Sequence, residues 1–548
     1  MKQNESYQEP HLSNEEQMAR GSAWMTFGNI GSRLLGAIYI LPWYFWMGDA
    51  GKSANALFGM GYNVYALFIM ISTAGIPAAI AKQIAFHNSR KEYRTSKKLF
   101  IRALQLMAIF GGSGALLMYV SSPLLAEMAG GGAALIPTMR SLSVALFIIP
   151  MMSVMRGYFQ AVHNMAPYAI SQIVEQIARV FYMLLTTFII MKLGSGDYVK
   201  AVTQSTFAAF IGAIAGFGVL LYYFRTEKLR MDVRAEHSEE EVVLDTKSLL
   251  LTTIRESIPF ILVGSGITIF KLVDQFTFIH TLGLFTNYTR AQGMELLALF
   301  GANPDKLTMV VIGLAIALAS VGLPLITEAY SIQDRLGLAR LISNNLQLYF
   351  FVMLPATFGM ILLAFPLNTV FYEPNVLGTR LLIEAALSGL VLGLFMLTSS
   401  MLQGMYENYF AVKYLLIGFG LKLLLQLPFI FLFEVYGPLL ATTLAFGVTC
   451  YFNIKKLHEL TRFNRRLTWK RISLIFIMTV FLLIVAGISR FVFSQVFTID
   501  HKVSAFLLVL VVALCGALVY SYLALKLRIA DKLLGSGMAK FRQRLRIK

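Results

Sequence analysis

An all-α protein that crosses a bilayer about fourteen times is the fold class this sequence predicts. Three observations carry that reading. Of 548 residues, 57% are hydrophobic and only 14% charged, and the mean hydropathy is +0.67. A soluble chain of this length could not hide so much apolar surface. The apolar runs reach about 20 residues, the length a helix needs to span hydrocarbon, and lack the roughly ten-residue alternation of an outer-membrane barrel. The net charge of +18 is concentrated in alternate connections, as topology demands, and not in a stripe suited to nucleic acid.

The predicted spans, in order, are 24–46, 56–81, 100–120, 141–162, 167–191, 201–224, 257–281, 308–329, 346–368, 381–404, 410–433, 437–454, 472–493 and 503–525. Residues 1–20 are polar and no small-residue cleavage site follows the first run, so no removable signal peptide is expected. The even-numbered connections hold most of the Lys and Arg, at 90–102, 225–255, 455–471 and from 526 onward. The positive-inside rule then places both termini in the cytoplasm. The basic tail (Lys540, Arg542, Arg544, Arg546, Lys548) suits anionic lipid headgroups. Cys450 and Cys515 both lie in apolar segments, which argues against a disulfide framework, and the seven histidines never approach metal-ligand spacing.

Two internal echoes share nearly one spacing. Gly75-Ile-Pro77, closing the second span, recurs as Gly322-Leu-Pro324, closing the eighth; Gln160 followed by Arg179 recurs as Gln403 followed by Lys422. Each echo advances by six spans, which keeps both copies in the same orientation, the parallel arrangement of two-lobed transporters. The expected organisation is an N-terminal lobe over 1–224, a charged cytoplasmic linker over 225–250 and a C-terminal lobe over 251–456. An added helix pair over 457–525 and a basic tail over 526–548 complete it. A cleft between the lobes would open alternately to each side, with the Gly-x-Pro segments loosening helix ends.

Charges inside spans are the functional candidates, because each costs roughly 2.5–3.5 kcal/mol at the bilayer centre. Arg33 sits deep in the first span with no carboxylate within a helical turn. Its planar fork of donors suits a phosphate; the alternative is a structural pair with another helix. Lys271 and Asp274 lie one turn apart in the seventh span. They read either as a self-neutralising pair or as an acid that orients a lysine and releases it to an arriving anion. By the repeat, Lys271 would face Arg33 across the cleft. Lys82 lies near a helix end and can snorkel. Arg255 and Glu256 open the seventh span as topology charges or as a further cation site. Glu175 and Arg179 are spaced i, i+4, as a structural bridge would be; Arg156, Lys413 and Lys422 have weaker claims. Trp24, Trp43, Tyr44 and Trp46 read as interfacial aromatic anchors. No catalytic constellation, P-loop or cofactor motif is present in the sequence, and the Gly-x-Gly at 264–266 lies inside a span. Energy would then come from an ion gradient, the membrane potential or substrate supply.

With Ser32-Arg33-Leu34-Leu35-Gly36 in the first span and a six-six-two layout, the chain resembles the lipid II flippases of the MurJ/YtgP type, in the multidrug/oligosaccharidyl-lipid/polysaccharide (MOP) exporter superfamily. The likeness is closest to the Gram-positive branch, in ARGSAWMTFGNIGSRLLGAIYILPWY, ANALFGMGYNVYALFIMISTAGIPAAIAKQ and KLVDQF. The resemblance implies translocation of undecaprenyl-diphosphate-linked peptidoglycan precursor to the outer leaflet of a bacterial plasma membrane, beside the cell-wall synthesis machinery. It also implies a phosphate-proximal role for Arg33. Where Gram-negative members carry a further arginine, this chain has Tyr39, which makes Lys271 the substitute cation. Alternatives at this point are a flippase for another lipid-linked oligosaccharide, a cation-coupled multidrug exporter, and a membrane-embedded glycosyltransferase. The exporter predicts acids along the cleft and the glycosyltransferase predicts sizeable external loops.

Overall fold

The computed structural model describes residues 28, 31–32, 35–36, 38–73, 80, 83–85, 87–88, 90–162, 164–236, 238, 246–495, 497, 501–534, 538 and 542–545, with backbone alone at 72, 246–256, 314–324 and 534. Among them there is no strand. The helices are α1 (Ile40–Met47), α2 (Gly51–Thr73), α3 (Tyr93–Met128), α4 (Leu135–Ala161), α5 (Ala166–Phe188), α6 (Tyr198–Glu236), α7 (Thr246–Phe285), α8 (Arg290–Leu297), α9 (Asn303–Ser331), α10 (Arg335–Leu362), α11 (Ala364–Phe371), α12 (Val376–Gly404), α13 (Asn408–Phe433), α14 (Gly437–Thr461), α15 (Arg465–Phe493), α16 (Lys502–Lys526) and α17 (Ile529–Leu534).

Twelve stretches of the described residues are helical, long and apolar enough to cross a membrane; one of them, Asn408–Thr461, contains both α13 and α14. The first predicted span is described in part, at 28, 31–32, 35–36 and 38–46, and ends as α1. The eighth span departs from its sequence reading. It begins at Arg290, not near 308, and runs through a π-helical turn at Ala298–Ala302 into α9. Asn303-Pro304-Asp305-Lys306 has the composition of a turn, yet Pro304 occupies the first turn of α9, where its missing N–H costs nothing.

Helix starts follow from local chemistry. Thr289 caps α8 in a reciprocal capping box with Gln292. Asn375 and Asn464 accept from the backbone N–H of Gly378 and Leu467 at the heads of α12 and α15. In hydrocarbon there is little hydrophobic drive between helices, so close approach depends on small residues. Gly212 and Gly216 show this: a Cβ at either would lie 2.7 or 3.0 Å from the Glu175 or Ser171 carbonyl of α5. That contact fixes α5 against α6.

Three apolar clusters result. The first joins α1–α6 with Phe278, Ile279 and Phe300. The second gathers Val263 and Phe270 of α7 with α9, α10, α12, α13 and α14. The third packs α15, α16 and α17 against Leu354 and Leu363. Polar side chains stitch the first group to the second. Asn63 donates to Gln275 at 2.9 Å, Gln275 donates to the Met60 carbonyl at 3.0 Å, and Asn55 donates to Asn303 at 2.5 Å. At one end of the molecule Arg290 ties α8 to the α3–α4 turn, through the Gly130 carbonyl at 2.7 Å and Glu127 at 3.1 Å.

The expected aromatic belt does not form at Trp43 and Tyr44. Trp43 is 1% exposed and donates to Ser205 Oγ at 2.9 Å, and Tyr44 is buried edge-on against Tyr372. An indole N–H needs a partner when buried, and Ser205 of α6 supplies it. Both rings are packing elements, not interfacial anchors. Trp46 stacks edge-on against Phe188, and Trp24 lies outside the described residues.

Candidate cationic cavity

A cavity of about 550 Å³ lies where α2, α5, α6, α7 and the α8–α9 crossing converge. Its wall includes Ser32, Tyr39, Asn63, Arg179, Lys271, Asp274, Asp305 and Lys306. Three of the described charged groups on this wall are cationic and two anionic, so the arrangement of pairs decides its character.

Lys271 and Asp274 do not pair with each other, contrary to the sequence reading. The Lys271 ammonium lies 2.5 Å from Asp305 of α9, with both side chains partly exposed to the cavity. Asp274 turns the other way, and its Oδ1 lies 2.5 Å from the ammonium of Lys422 on α13. Side chains one turn apart on a helix meet only if nothing better lies on a neighbour. Here Asp305 and Lys422 are both available, so Asp274 does not orient Lys271. Lys422, a weak candidate by sequence, is fully buried.

Lys306 has a different status. Its ammonium forms no ion pair with an acid among the described residues. It donates to the Tyr39 hydroxyl at 2.9 Å and sits 5.4 and 4.5 Å from the ring centres of Tyr39 and Phe58. A cation over aromatic faces is held weakly, by about 0.5–2 kcal/mol, and keeps its charge available. Tyr39 therefore does not replace an arginine; it positions a lysine from another helix.

The predicted Glu175–Arg179 bridge is present, and Arg156 joins it, donating to Glu175 at 2.9 Å. Two guanidiniums on one carboxylate leave a surplus positive charge, and Arg179 faces the cavity. Arg179 Nε has no hydrogen-bond partner among the described residues. Ser32 is on the cavity wall, as its neighbour Arg33 was expected to be, but Arg33 and Lys82 lie outside the described residues, as do the side chains of Arg255 and Glu256. Gly75–Pro77 lies outside as well, whereas the backbone of Gly322–Pro324 continues as helix within α9. Gln403 donates to the Pro259 carbonyl at 3.4 Å and Gln160 is half-buried on α4; neither lines the cavity. Lys413 is exposed beside the Tyr409 ring.

Sequence reasoning missed Lys306 and Asp305, both assigned to a connection. The signal that could have found them is Pro304, a first-turn residue that marks a helix start.

Residues 18–330 match the polysaccharide biosynthesis protein family. Over 537 residues, 96% of this chain and 98% of the relative, the sequence is 30% identical to the lipid II flippase MurJ of Bacillus subtilis (strain 168). A solved structure of lipid II flippase MurJ in an inward closed conformation superposes with a TM-score of 0.64 at 15% identity, covering 94% of this chain and 100% of that chain. An inward-facing multidrug resistance MATE family transporter of the MOP superfamily gives a TM-score of 0.58 at 16% identity, covering 78% of this chain and 96% of that one. These two structural likenesses bear on fold; the sequence match bears on family.

Proposed function

Because this chain belongs to the lipid II flippase family of the MOP exporter superfamily, we propose that its cavity receives the diphosphate of an undecaprenyl-linked peptidoglycan precursor and passes it between leaflets by alternating access. A multi-pass bacterial membrane protein that flips a lipid-linked precursor is the coarse reading the family carries. The cavity chemistry supports the finer one. Its carrying observation is the Lys306 ammonium, inside a membrane-spanning bundle and held by a hydroxyl and two ring faces in place of an acid.

A diphosphate cannot cross hydrocarbon unaided, whereas its lipid tail need not leave it. Cations that are wet and only partly neutralised give the headgroup a midway resting place. Arg179 and Lys306 bring surplus charge, and Lys271 exchanges Asp305 for phosphate as the headgroup arrives. Arg33 and Lys82 belong to this proposal as further cations, on the strength of sequence alone. An alternating cycle would have to break the contacts from Arg290 to Glu127 and Gly130, which tie α8 of one helix group to the α3–α4 turn of the other. With both termini cytoplasmic, an anionic headgroup moving outward gains about 2.3 kcal/mol per charge per 100 mV. The tail then lies on anionic headgroups, and the outer face delivers precursor to the cell-wall machinery.

A multidrug exporter of the same fold would need carboxylates free to hold cationic drugs. Here Asp274 and Asp305 are both paired with lysines, which favours an anionic cargo. The test is flipping of a fluorescent undecaprenyl-diphosphate sugar in vesicles of the purified protein, with and without a potassium-diffusion potential. Accelerated transfer with the inside negative is expected. Flux equal to protein-free vesicles refutes the proposal, and flux indifferent to potential refutes its energetic part.

A further inference from the structure

We propose that Lys422, which never touches the cargo, sets the sign of the cavity by cancelling Asp274 from behind its wall. The inference rests on the anionic-headgroup reading above. The Lys422 side chain is 0% exposed, and its ammonium reaches Asp274 Oδ1 at 2.5 Å, the Pro438 carbonyl at 2.8 Å and Thr442 Oγ1 at 2.8 Å. An ammonium has three donors, and all three are spent. Gln426 also donates to Asp274 Oδ1, at 3.0 Å. Asp274 itself belongs to the cavity wall.

Charge arithmetic at the wall follows. With Lys422 in place, Asp305 is the one carboxylate among the described wall residues whose charge is not cancelled from outside the cavity, facing Arg179, Lys271 and Lys306. Without it, Asp274 keeps only the neutral donors Gln426 and Thr442 and becomes a carboxylate without a counterion, one helical turn from Lys271 and close enough for capture. The wall would then hold two competing acids, and a hydrophobic cation would find a counterion. Lys422 is thus a positioning residue whose effect passes through Asp274. A purely mechanical role is the competing account, since the same bonds clamp α13 to α7 and α14.

Binding of farnesyl diphosphate and of tetraphenylphosphonium to the purified full chain in lipid nanodiscs separates these accounts. The parent protein is expected to bind the diphosphate and ignore the cation. Lys422→Met should weaken diphosphate binding by about tenfold or more and acquire cation binding. The double variant Lys422→Met/Asp274→Asn should recover diphosphate affinity to within about threefold of the parent and lose the cation again. A Lys422→Met protein with parent affinities for both probes overturns the inference, and so does a double variant as weak as the single one, which marks a mechanical clamp. If Lys422→Met does not accumulate as folded protein, the double variant decides: parent-like diphosphate binding upholds the inference and its loss overturns it. A parent that ignores farnesyl diphosphate overturns the headgroup reading and this inference with it; unchanged variants of a binding parent overturn this inference alone.

Discussion

Replacing Lys306 by methionine is the sharpest probe of the cavity. The side chain keeps its length and apolar stem, so packing against Phe58 and Tyr39 is largely retained. What disappears is one ammonium at a partly exposed position, the hydrogen bond to the Tyr39 hydroxyl and the two ring contacts. The ring contacts contribute about 0.5–1 kcal/mol at such a site and the hydrogen bond from the charged ammonium about 1.5–3 kcal/mol, so folding stability should fall by no more than about 4 kcal/mol. A charge-assisted hydrogen bond from this ammonium to a phosphate oxygen contributes about 1.5–3 kcal/mol. Loss of it alone weakens diphosphate binding by roughly 10- to 150-fold. Calorimetric titration with farnesyl diphosphate at several salt concentrations measures this directly. Lys306→Arg should retain most of the affinity, since guanidinium also suits phosphate, and the salt dependence should flatten in the methionine variant. A folded Lys306→Met protein with undiminished affinity would show that the headgroup rests elsewhere.

Asp305→Asn releases Lys271 from its ion pair while keeping the side-chain shape. Diphosphate should bind more tightly and leave more slowly, seen as a lower Kd together with slower vesicle flipping; a higher Kd contradicts the exchange step. Glu175→Gln strands Arg156 and Arg179 without a counterion in the α4–α5 interface. Breaking such a buried cluster costs about 3–5 kcal/mol, so thermal unfolding in detergent should shift far downward, and an unchanged midpoint refutes the assignment. Gly212→Val drives a Cβ to 2.7 Å from the Glu175 carbonyl. Overpacking of this kind costs about 1–3 kcal/mol, and the loss of stability should be accompanied by weaker diphosphate binding, because Arg179 moves with α5.

Individual residues show how far the sequence could be read. The i, i+4 spacing of Glu175 and Arg179 sufficed to predict their bridge, because both partners lie on one helix and its geometry is fixed. Arg156, the third member, comes from α4 and has no signal in that spacing. Lys271 and Asp274 show the opposite case. Their spacing is equally suggestive, but Asp305 lies 34 residues from Lys271 and Lys422 lies 148 from Asp274, and both won. Trp43 and Tyr44 depart from their sequence reading for a related reason. Their position near a span end matches an interfacial belt, and only the packing of α6 and α11 shows them covered.

By itself the sequence determined what the bilayer enforces residue by residue: helices of spanning length, their approximate number and the alternating bias of positive charge. Those follow from the cost of placing peptide groups and ions in hydrocarbon, which each segment meets separately. Only the tertiary structure decided which charges cancel and which remain. An ion pair between helices depends on crossing positions set by small-residue contacts such as Gly212 on Glu175. It was therefore the packing of α9 and α13 against α7 that gave Lys271 to Asp305, Asp274 to Lys422, and left Lys306 facing the cavity with a tyrosine for company.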